Sequence, residues 1–382
     1  MVKFEFTEEQ KMLRDMVKDF VNNEIKPIAA KIDTDEKIPQ ELIKKLAEIG
    51  VLGVAFPEEY GGGGFGEVGY CISQEEIARG CMSTATLIGA HQSIGSNAIY
   101  IGGTEDQKKK YLTRLASGEA IGAYCLTEAQ AGSDAFNLKT KAVLDGDEWV
   151  INGEKLWITN GGIADIVSVF ARTEKGISAF IVETKTPGFI AGPSEKKMGI
   201  KGSTTNAITL DNVRVPKENL LGQDGRGFLI AMKTLDAGRL GLGACCLGAS
   251  KELLELSISY SKQRKQFDQT ISNFQAIQHM IAQMSIMIYN MESIVYRTAI
   301  DYDLKKDIST QSAMVKYYCS ESLDKIADFA VQIHGGMGYS KELPIERFYR
   351  DSRINRIFEG TNEIQLGIIA RDALKKNGKI FK

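Results

Sequence analysis

Apolar residues near the N-terminus recur every three or four positions. After Thr7-Glu8-Glu9-Gln10, a capping box, Leu13, Met16, Val17, Phe20 and Val21 keep the period of an amphipathic helix. A second helix is predicted from about Pro39 to Ile49, with proline near its start and Gly50 at its end. Thr84 to Gly102 is apolar, rich in small residues and free of Lys, Arg, Asp and Glu. Thr104-Glu105-Asp106-Gln107 caps a further helix that should end near Leu115. From about Ala120 the period changes. Asp145-Gly146-Asp147 marks a hairpin between Lys139–Leu144 and Trp149–Asn152. Strand-like runs follow at Ile166–Arg172, Ile177–Glu183 and Ala207–Leu210, with a turn at Pro187-Gly188. Past Pro216 the helical period returns. Gly227–Arg264 reads as one long helix despite its glycines, Thr310–Ile333 as another and Asn362–Lys375 as a shorter one. Between them Ile277, Met280, Ile281, Met284, Met287, Ile288, Met291 and Ile294 form a broad apolar face, which suits bundle packing better than cofactor contact. The pattern predicts an α+β chain in three domains. These are an all-α domain at 1–119, a small β-barrel or sandwich at 120–228 and a four-helix bundle at 229–382.

Composition removes several functional classes. With 382 residues the chain is too long for one core. It is 43% hydrophobic and 25% charged with a net charge of -2, so neither nucleic acid nor an anionic membrane is implied as partner. No apolar run approaches the roughly 20 residues that span a bilayer. Met1-Val2-Lys3-Phe4-Glu5 leads straight into a helix signal without the architecture of a signal peptide. The six cysteines contain no C-x-x-C pair, and His91, His279 and His334 lack metal-ligand spacing. A cytoplasmic, reduced, metal-free protein is expected. Gly61 to Gly66 formally contains G-x-G-x-x-G, but it follows a helix and a proline loop, with no strand before it, so a Rossmann site is rejected.

Four segments carry candidate chemistry. Tyr124-Cys125-Leu126-Thr127-Glu128-Ala129-Gln130-Ala131-Gly132-Ser133-Asp134 is a strand leading into a loop that offers backbone N–H groups and two hydroxyls, or an ordinary polar turn. Lys155-Leu156-Trp157-Ile158-Thr159-Asn160-Gly161-Gly162 presents an indole and a hydroxyl before a glycine turn, although Trp157 could equally belong to the core. In Gln332-Ile333-His334-Gly335-Gly336-Met337-Gly338-Tyr339 the glycines cap a helix or let backbone approach a flat or phosphorylated ligand. Glu359 lies in Arg356-Ile357-Phe358-Glu359-Gly360-Thr361-Asn362-Glu363, on a break between two helices, with Thr361 as N-cap of the second. Such a carboxylate is either structural or aimed into a dry cavity. In the second case desolvation raises its proton affinity and suits it to general base work.

Together these segments resemble the acyl-CoA dehydrogenase family of flavoproteins over essentially the whole chain. Tyr124–Asp134 is similar to the family's Y/F-x-x-T-E-P-x-A-G-S-D block, Trp157-Ile158-Thr159-Asn160-Gly161 to its flavin strand, and Glu359-Gly360-Thr361 to its catalytic E-G-T. Ala129 stands in place of the family's proline. The resemblance implies FAD as cofactor, with Tyr124, Leu126, Thr127, Gly132, Ser133, Trp157, Ile158 and Thr159 around the isoalloxazine. Arg264, Gln266, Phe267 and Gln275 match positions that reach the FAD of a neighbouring subunit, as do Gln332, Gly335 and Gly336 at its adenine end. Thr361 and Glu363 complete the cofactor set. Ser133, Asp236, Arg239 and Gly360 match substrate positions, and the family is a homotetramer, a dimer of dimers.

The implied reaction is α,β-dehydrogenation of a saturated acyl-CoA, with Glu359 taking the α-proton, flavin N5 accepting hydride and an electron-transferring flavoprotein receiving the electrons. Some members carry the base immediately before the arginine matched by Arg239; here that residue is Gly238, leaving Glu359 as the base. The uncharged stretch Thr84–Gly102 matches the acyl-tail region, and its lack of a cation suits an aliphatic, monocarboxylic chain of short to medium length. Two alternatives remain open: the same site working as an enoyl-CoA reductase, and a flavin-less acyl-CoA-binding scaffold.

Overall fold

Local caps start the first helices where the pattern puts them. In the computed structural model, which describes residues 5–379, Thr7 Oγ1 accepts the Gln10 N–H at 3.2 Å and Gln10 Oε1 accepts the Thr7 N–H at 3.1 Å, opening the helix Glu8–Phe20. Residues 1–4, on which the no-leader expectation partly rests, lie outside this range. Thr104 and Gln107 form the second capping box, and the segment from Pro39 folds as the helix Gln40–Glu48.

One N-terminal helix has no counterpart in the hydrophobic pattern. Gly66–Gly80 is buried on every side, including Glu67, Glu75 and Glu76, so it shows no amphipathic period. Its cap is also remote. Asp303 Oδ1 and Oδ2 accept the Glu67 and Val68 N–H groups at 2.8 and 3.1 Å, from more than 200 residues away in the chain. Glu75 is balanced by Lys251 at 2.8 Å, Arg14 at 3.3 Å and the Tyr296 hydroxyl, so the buried charge is paired.

The uncharged stretch lies within Met82–Gly102, where a π-type segment, Gly89–Ser96, joins the helices Met82–Ile88 and Asn97–Gly102. Within it, His91 Nε2 lies 3.1 Å from both Leu52 O and Leu115 O, while Nδ1 accepts the Gly122 N–H at 2.9 Å. This neutral imidazole, protonated on Nε2, pins the helical domain to the first strand.

The β region is one open eight-stranded sheet. Its strands are β1 (Gly122–Cys125), β2 (Lys141–Asp145), β3 (Glu148–Thr159), β4 (Ile166–Thr173), β5 (Gly176–Glu183), β6 (Phe189–Ser194), β7 (Thr205–Pro216) and β8 (Leu220–Leu221). The order is β6-β7-β3-β2-β4-β5-β8, with β1 parallel to β4. The β2–β3 hairpin turns at Gly146, as its sequence demands. β6 escaped notice because Pro193 sits in it, which an edge strand tolerates. β3 carries register shifts between Ile151 and Gly153 and between Lys155 and Ile158, where a strand bends.

The C-terminal region packs Gly227–Gln263, Gln275–Asp303, Ser309–His334 and Asn362–Lys375 around a core containing Met284, Ile288, Met291 and Leu323. The methionine stripe is core. A short helix, Ile345–Ser352, precedes the Glu359 corner and was not legible in the pattern. All six cysteines are buried and unpaired, and no helix among the described residues is long and apolar enough to cross a membrane.

Burial lowers the His91 pKa to about 4. The unfolded chain then binds a proton at pH values where the folded chain does not, so stability falls as pH drops from about 6.5 to about 4. The stability gap between wild type and His91→Gln should therefore shrink by about 3 kcal/mol across that window. Denaturant titrations at a series of pH values measure the gap, and a pH-independent gap contradicts the assignment.

Candidate active site

The chain turns a corner at Glu359 and Gly360. Both have positive φ, 55° and 90°, and a side chain on Gly360 would meet Gln365 Nε2 at 2.7 Å. A non-glycine residue held in this region stores strain of about 1–3 kcal/mol, so its surroundings must fix it. They do so through its carbonyl. Gln365 Nε2 donates to Glu359 O at 3.2 Å and Gly360 O at 2.9 Å, and Arg239 Nε donates to Glu359 O at 3.4 Å. With the carbonyl held on that side, no acceptor among the described residues takes the Glu359 N–H. Thr361 then caps the Asn362–Lys375 helix by accepting the Ile364 N–H.

The side chain of Glu359 reaches the long helix Gly227–Gln263 at Gly238. A Cβ on Gly238 would lie 2.5 Å from Glu359 Oε2 and 2.8 Å from Ile94 Cγ2, so only glycine leaves room for the carboxylate. Oε2 is buried and has no hydrogen-bond partner. Desolvation raises the Glu359 pKa to about 7, with Arg239 and Lys316 holding it back. Lys316 is fully buried, donates to Asn362 Oδ1 at 2.7 Å and has its own pKa lowered to about 8 by burial. Arg239 is paired to Asp236 at 2.8 Å, and Asp236 also accepts from Ser309 Oγ at 2.6 Å and Ser312 Oγ at 3.3 Å. Asp236, expected along the substrate, is thus engaged within the protein and orients Arg239. Lys316 and Gln365 were missed in the sequence. A lysine on the core stripe of Ser309–His334, in line with Ser312, Cys319 and Leu323, was the available signal.

The first two sequence segments meet on the sheet. The Leu156 N–H donates to Thr127 O at 2.9 Å. Lys155, buried, reaches Leu126 O at 3.2 Å and Glu128 Oε1 at 2.7 Å, while Glu128 also accepts from Thr140 and from the Lys139 N–H. This buried pair clamps the loop to β3. At the adjacent register shift Trp157 adopts φ 60° and stands 56% exposed, which settles the choice left open between core and surface. Ile158 points the other way, into the sheet core, so any cofactor contact from it must come through backbone. Thr127 and Thr159 are half-buried, Ser133 is exposed, and the space off Gly132 is open. An exposed indole beside two hydroxyls and an uncovered loop fits a flat aromatic cofactor such as flavin. Leu126 and Tyr124 are buried; the Tyr124 hydroxyl donates to Ala231 O on the long helix at 3.2 Å, and its proton affinity is raised by burial and by nearby Glu359. The sheet segments and the Glu359 corner therefore converge on the N-terminal half of that helix.

The remaining candidates lie elsewhere. Arg264 follows the end of the long helix, Gln266 and Phe267 occupy the hairpin after it, and Gln275 starts the next helix. Gln332, Gly335 and Gly336 lie at the end of Ser309–His334, and stacking of Tyr260 on His334 at 4.5 Å brings the two ends together. Phe267 is 87% exposed, and Gly335 and Gly336 face open space. From Gly238 to Arg264 the helix advances ~39 Å at ~1.5 Å per residue, so this group stands far from Glu359 within one chain. Glu363 is exposed beside the corner.

Three family profiles match the chain: the acyl-CoA dehydrogenase N-terminal domain at residues 7–119, the middle domain at 123–213 and the C-terminal domain at 225–374. The short-chain specific acyl-CoA dehydrogenase of Clostridium acetobutylicum is 42% identical over 99% of this chain and 100% of its own. An acryloyl-CoA reductase (NADH) of Anaerotignum propionicum is 43% identical over 98% of this chain and 96% of its own. The butyryl-CoA dehydrogenase structure from Megasphaera elsdenii superposes with a TM-score of 0.96 at 40% identity, covering 98% of this chain and 100% of that one. The chain belongs to the acyl-CoA dehydrogenase family and is an FAD-dependent oxidoreductase.

Proposed function

We propose that the protein dehydrogenates a short-chain, saturated aliphatic acyl-CoA to the trans-2-enoyl-CoA, with Glu359 as the base. The observation that carries this is the unpartnered Oε2 of Glu359, buried against Gly238 with its pKa raised to about 7. A carboxylate with that proton affinity takes an α-proton more readily than one at its ordinary value. Deprotonation leaves negative charge on the thioester oxygen. The free Glu359 N–H is the chain's donor to that oxygen, and a fixed donor in a dry site contributes on the order of 3–4 kcal/mol. Thr127, Ser133, Trp157 and Thr159 would hold the FAD ring, and Tyr124 and Leu126 are buried on the same strand and loop. FAD bound there supplies the acceptor for the β-hydrogen, which leaves as hydride.

The distant group of Arg264, Gln266, Phe267, Gln275, Gln332, Gly335 and Gly336 serves the cofactor of a second copy of the chain. A separation of ~39 Å between the Glu359 contact and Arg264 supports use of the two sets on different cofactors, with a second copy completing each site, and we place that pair in a homotetramer built as a dimer of dimers. An electron-transferring flavoprotein takes the electrons. Six buried, unpaired cysteines suit a reducing compartment, and we place the enzyme in the cytoplasm.

The acryloyl-CoA reductase relative favours a second reading, in which the same site runs towards the saturated thioester. Glu359 then returns the proton to the α-carbon. Measuring both directions with each electron partner separates the two.

Glu359→Gln should bind FAD and acyl-CoA yet lose anaerobic bleaching of the flavin band; bleaching near the wild-type rate contradicts the base assignment. For wild type, kcat/KM should rise with pH through about 7. Stability runs the opposite way. The folded Glu359 pKa lies above its unfolded value of 4.5, so the folded chain is the one that retains the proton and stability declines as pH rises from 4.5 through about 7. Glu359→Gln should therefore gain on wild type by on the order of 2–3 kcal/mol between pH 4 and pH 8. Thermal melts at the two pH values measure this, and an unchanged difference contradicts it.

A further inference from the structure

Two glycines one turn apart on the long helix are covered by different side chains. Glu359 covers Gly238, and Tyr70 covers Gly241, where a Cβ would lie 2.5 Å from both Cε1 and Oη of the phenol. Tyr70 comes from the Gly66–Gly80 helix and is 1% exposed. Its Oη accepts from Gln74 Nε2 at 2.7 Å. The same amide donates to Ala85 O at 3.2 Å, and its Oε1 accepts from Cys245 Sγ at 3.6 Å. Cys245 continues the stripe begun by Gly238 and Gly241, so the ring is clamped between two helices. A third glycine, Gly89 in the π-type segment, also makes room for it: a Cβ there would stand 3.6 Å from Tyr70 Oη and 3.2 Å from Gln74 Nε2.

We propose that Tyr70 is the floor of the acyl pocket and limits the substrate to a short chain. The proposal rests on Glu359 marking the reacting carbons. Along the helix the Glu359 and Tyr70 contacts are ~4.5 Å apart at ~1.5 Å per residue, which leaves room for only a few carbon atoms past the reacting pair. Ile94 Cγ2, 2.8 Å from the Gly238 Cβ position, supplies the apolar side wall. Tyr70 also borders open space. A cavity of ≈ 50 Å³ is lined by Tyr70, Gln92, Ser93, Glu67 and Tyr100. Glu67 Oε1 and Gln92 Nε2, from two of the lining residues, are buried without partners, so the space is polar and unsuited to a hydrocarbon end. The volume of the phenol itself is what a longer chain would need.

The decisive quantity is the ratio of kcat/KM for octanoyl-CoA to that for butyryl-CoA, followed by flavin bleaching. In wild type this ratio should be about 0.1 or lower, because each methylene that fails to fit carries a penalty of about tenfold or more. In Tyr70→Ala the ratio should rise by about tenfold or more, as the vacated ring space admits the longer tail. A wild-type protein that handles both substrates equally overturns the proposal without any variant, so a poorly folding Tyr70→Ala does not protect it. A folded, flavin-loaded Tyr70→Ala with the wild-type ratio overturns it as well. A wild-type holoenzyme that no acyl-CoA bleaches contradicts the proposed function instead, and so tells the two failures apart.

Discussion

A carboxylate pressed against the bare backbone of Gly238 is the contact on which the site depends. Two conditions make it possible. The long helix must offer a position without a side chain, since a Cβ there would stand 2.5 Å from Glu359 Oε2. The chain must also turn through two positive-φ residues to bring Glu359 to it. Gln365 and Arg239 secure that turn by binding carbonyls, which leaves the N–H and the carboxylate free. Water exclusion and hydrogen-bonding capacity thus arise at one corner. Two buried cations, Arg239 and Lys316, keep the raised pKa near 7 and prevent a permanently protonated acid. The same desolvation destabilises the fold at alkaline pH.

Each domain contributes one wall. The sheet presents Trp157 and Thr127, locked together by the Lys155–Glu128 pair and by the Leu156 N–H. The helical domain brings up the uncharged π-type segment, anchored by His91 to Leu52, Leu115 and Gly122. The bundle supplies the long helix and the Glu359 corner. That helix is rich in glycine because side chains from three directions lie against its backbone: Glu359 at Gly238, Tyr70 at Gly241 and Val315 at Gly243. Helix propensity is sacrificed for close approach.

Features set by neighbouring residues were legible in the sequence. The Thr7 and Thr104 capping boxes, the Gly146 hairpin and the long helices depend on contacts within a few positions. The Gly66–Gly80 helix was not legible, because its cap is Asp303 and its burial is uniform. For the site, the break at Glu359 and the absence of a side chain at 238 could be read from the residues; that they touch could not. Trp157 was ambiguous until a β-bulge turned it outward. The group around Arg264 and Gly335 came only from the family resemblance, since nothing near those residues in the sequence announces a role. Tyr70 carried no signal at all, being one aromatic among many in a helix without a period.

The central claim is that Glu359 moves the α-proton. Exchange of the α-hydrogens of a bound acyl-CoA with D2O, followed by NMR or mass spectrometry, tests it without relying on electron transfer. Wild-type protein should catalyse exchange with a rate that rises through pH 7, and Glu359→Gln should abolish it. Exchange at an undiminished rate in Glu359→Gln would contradict the account.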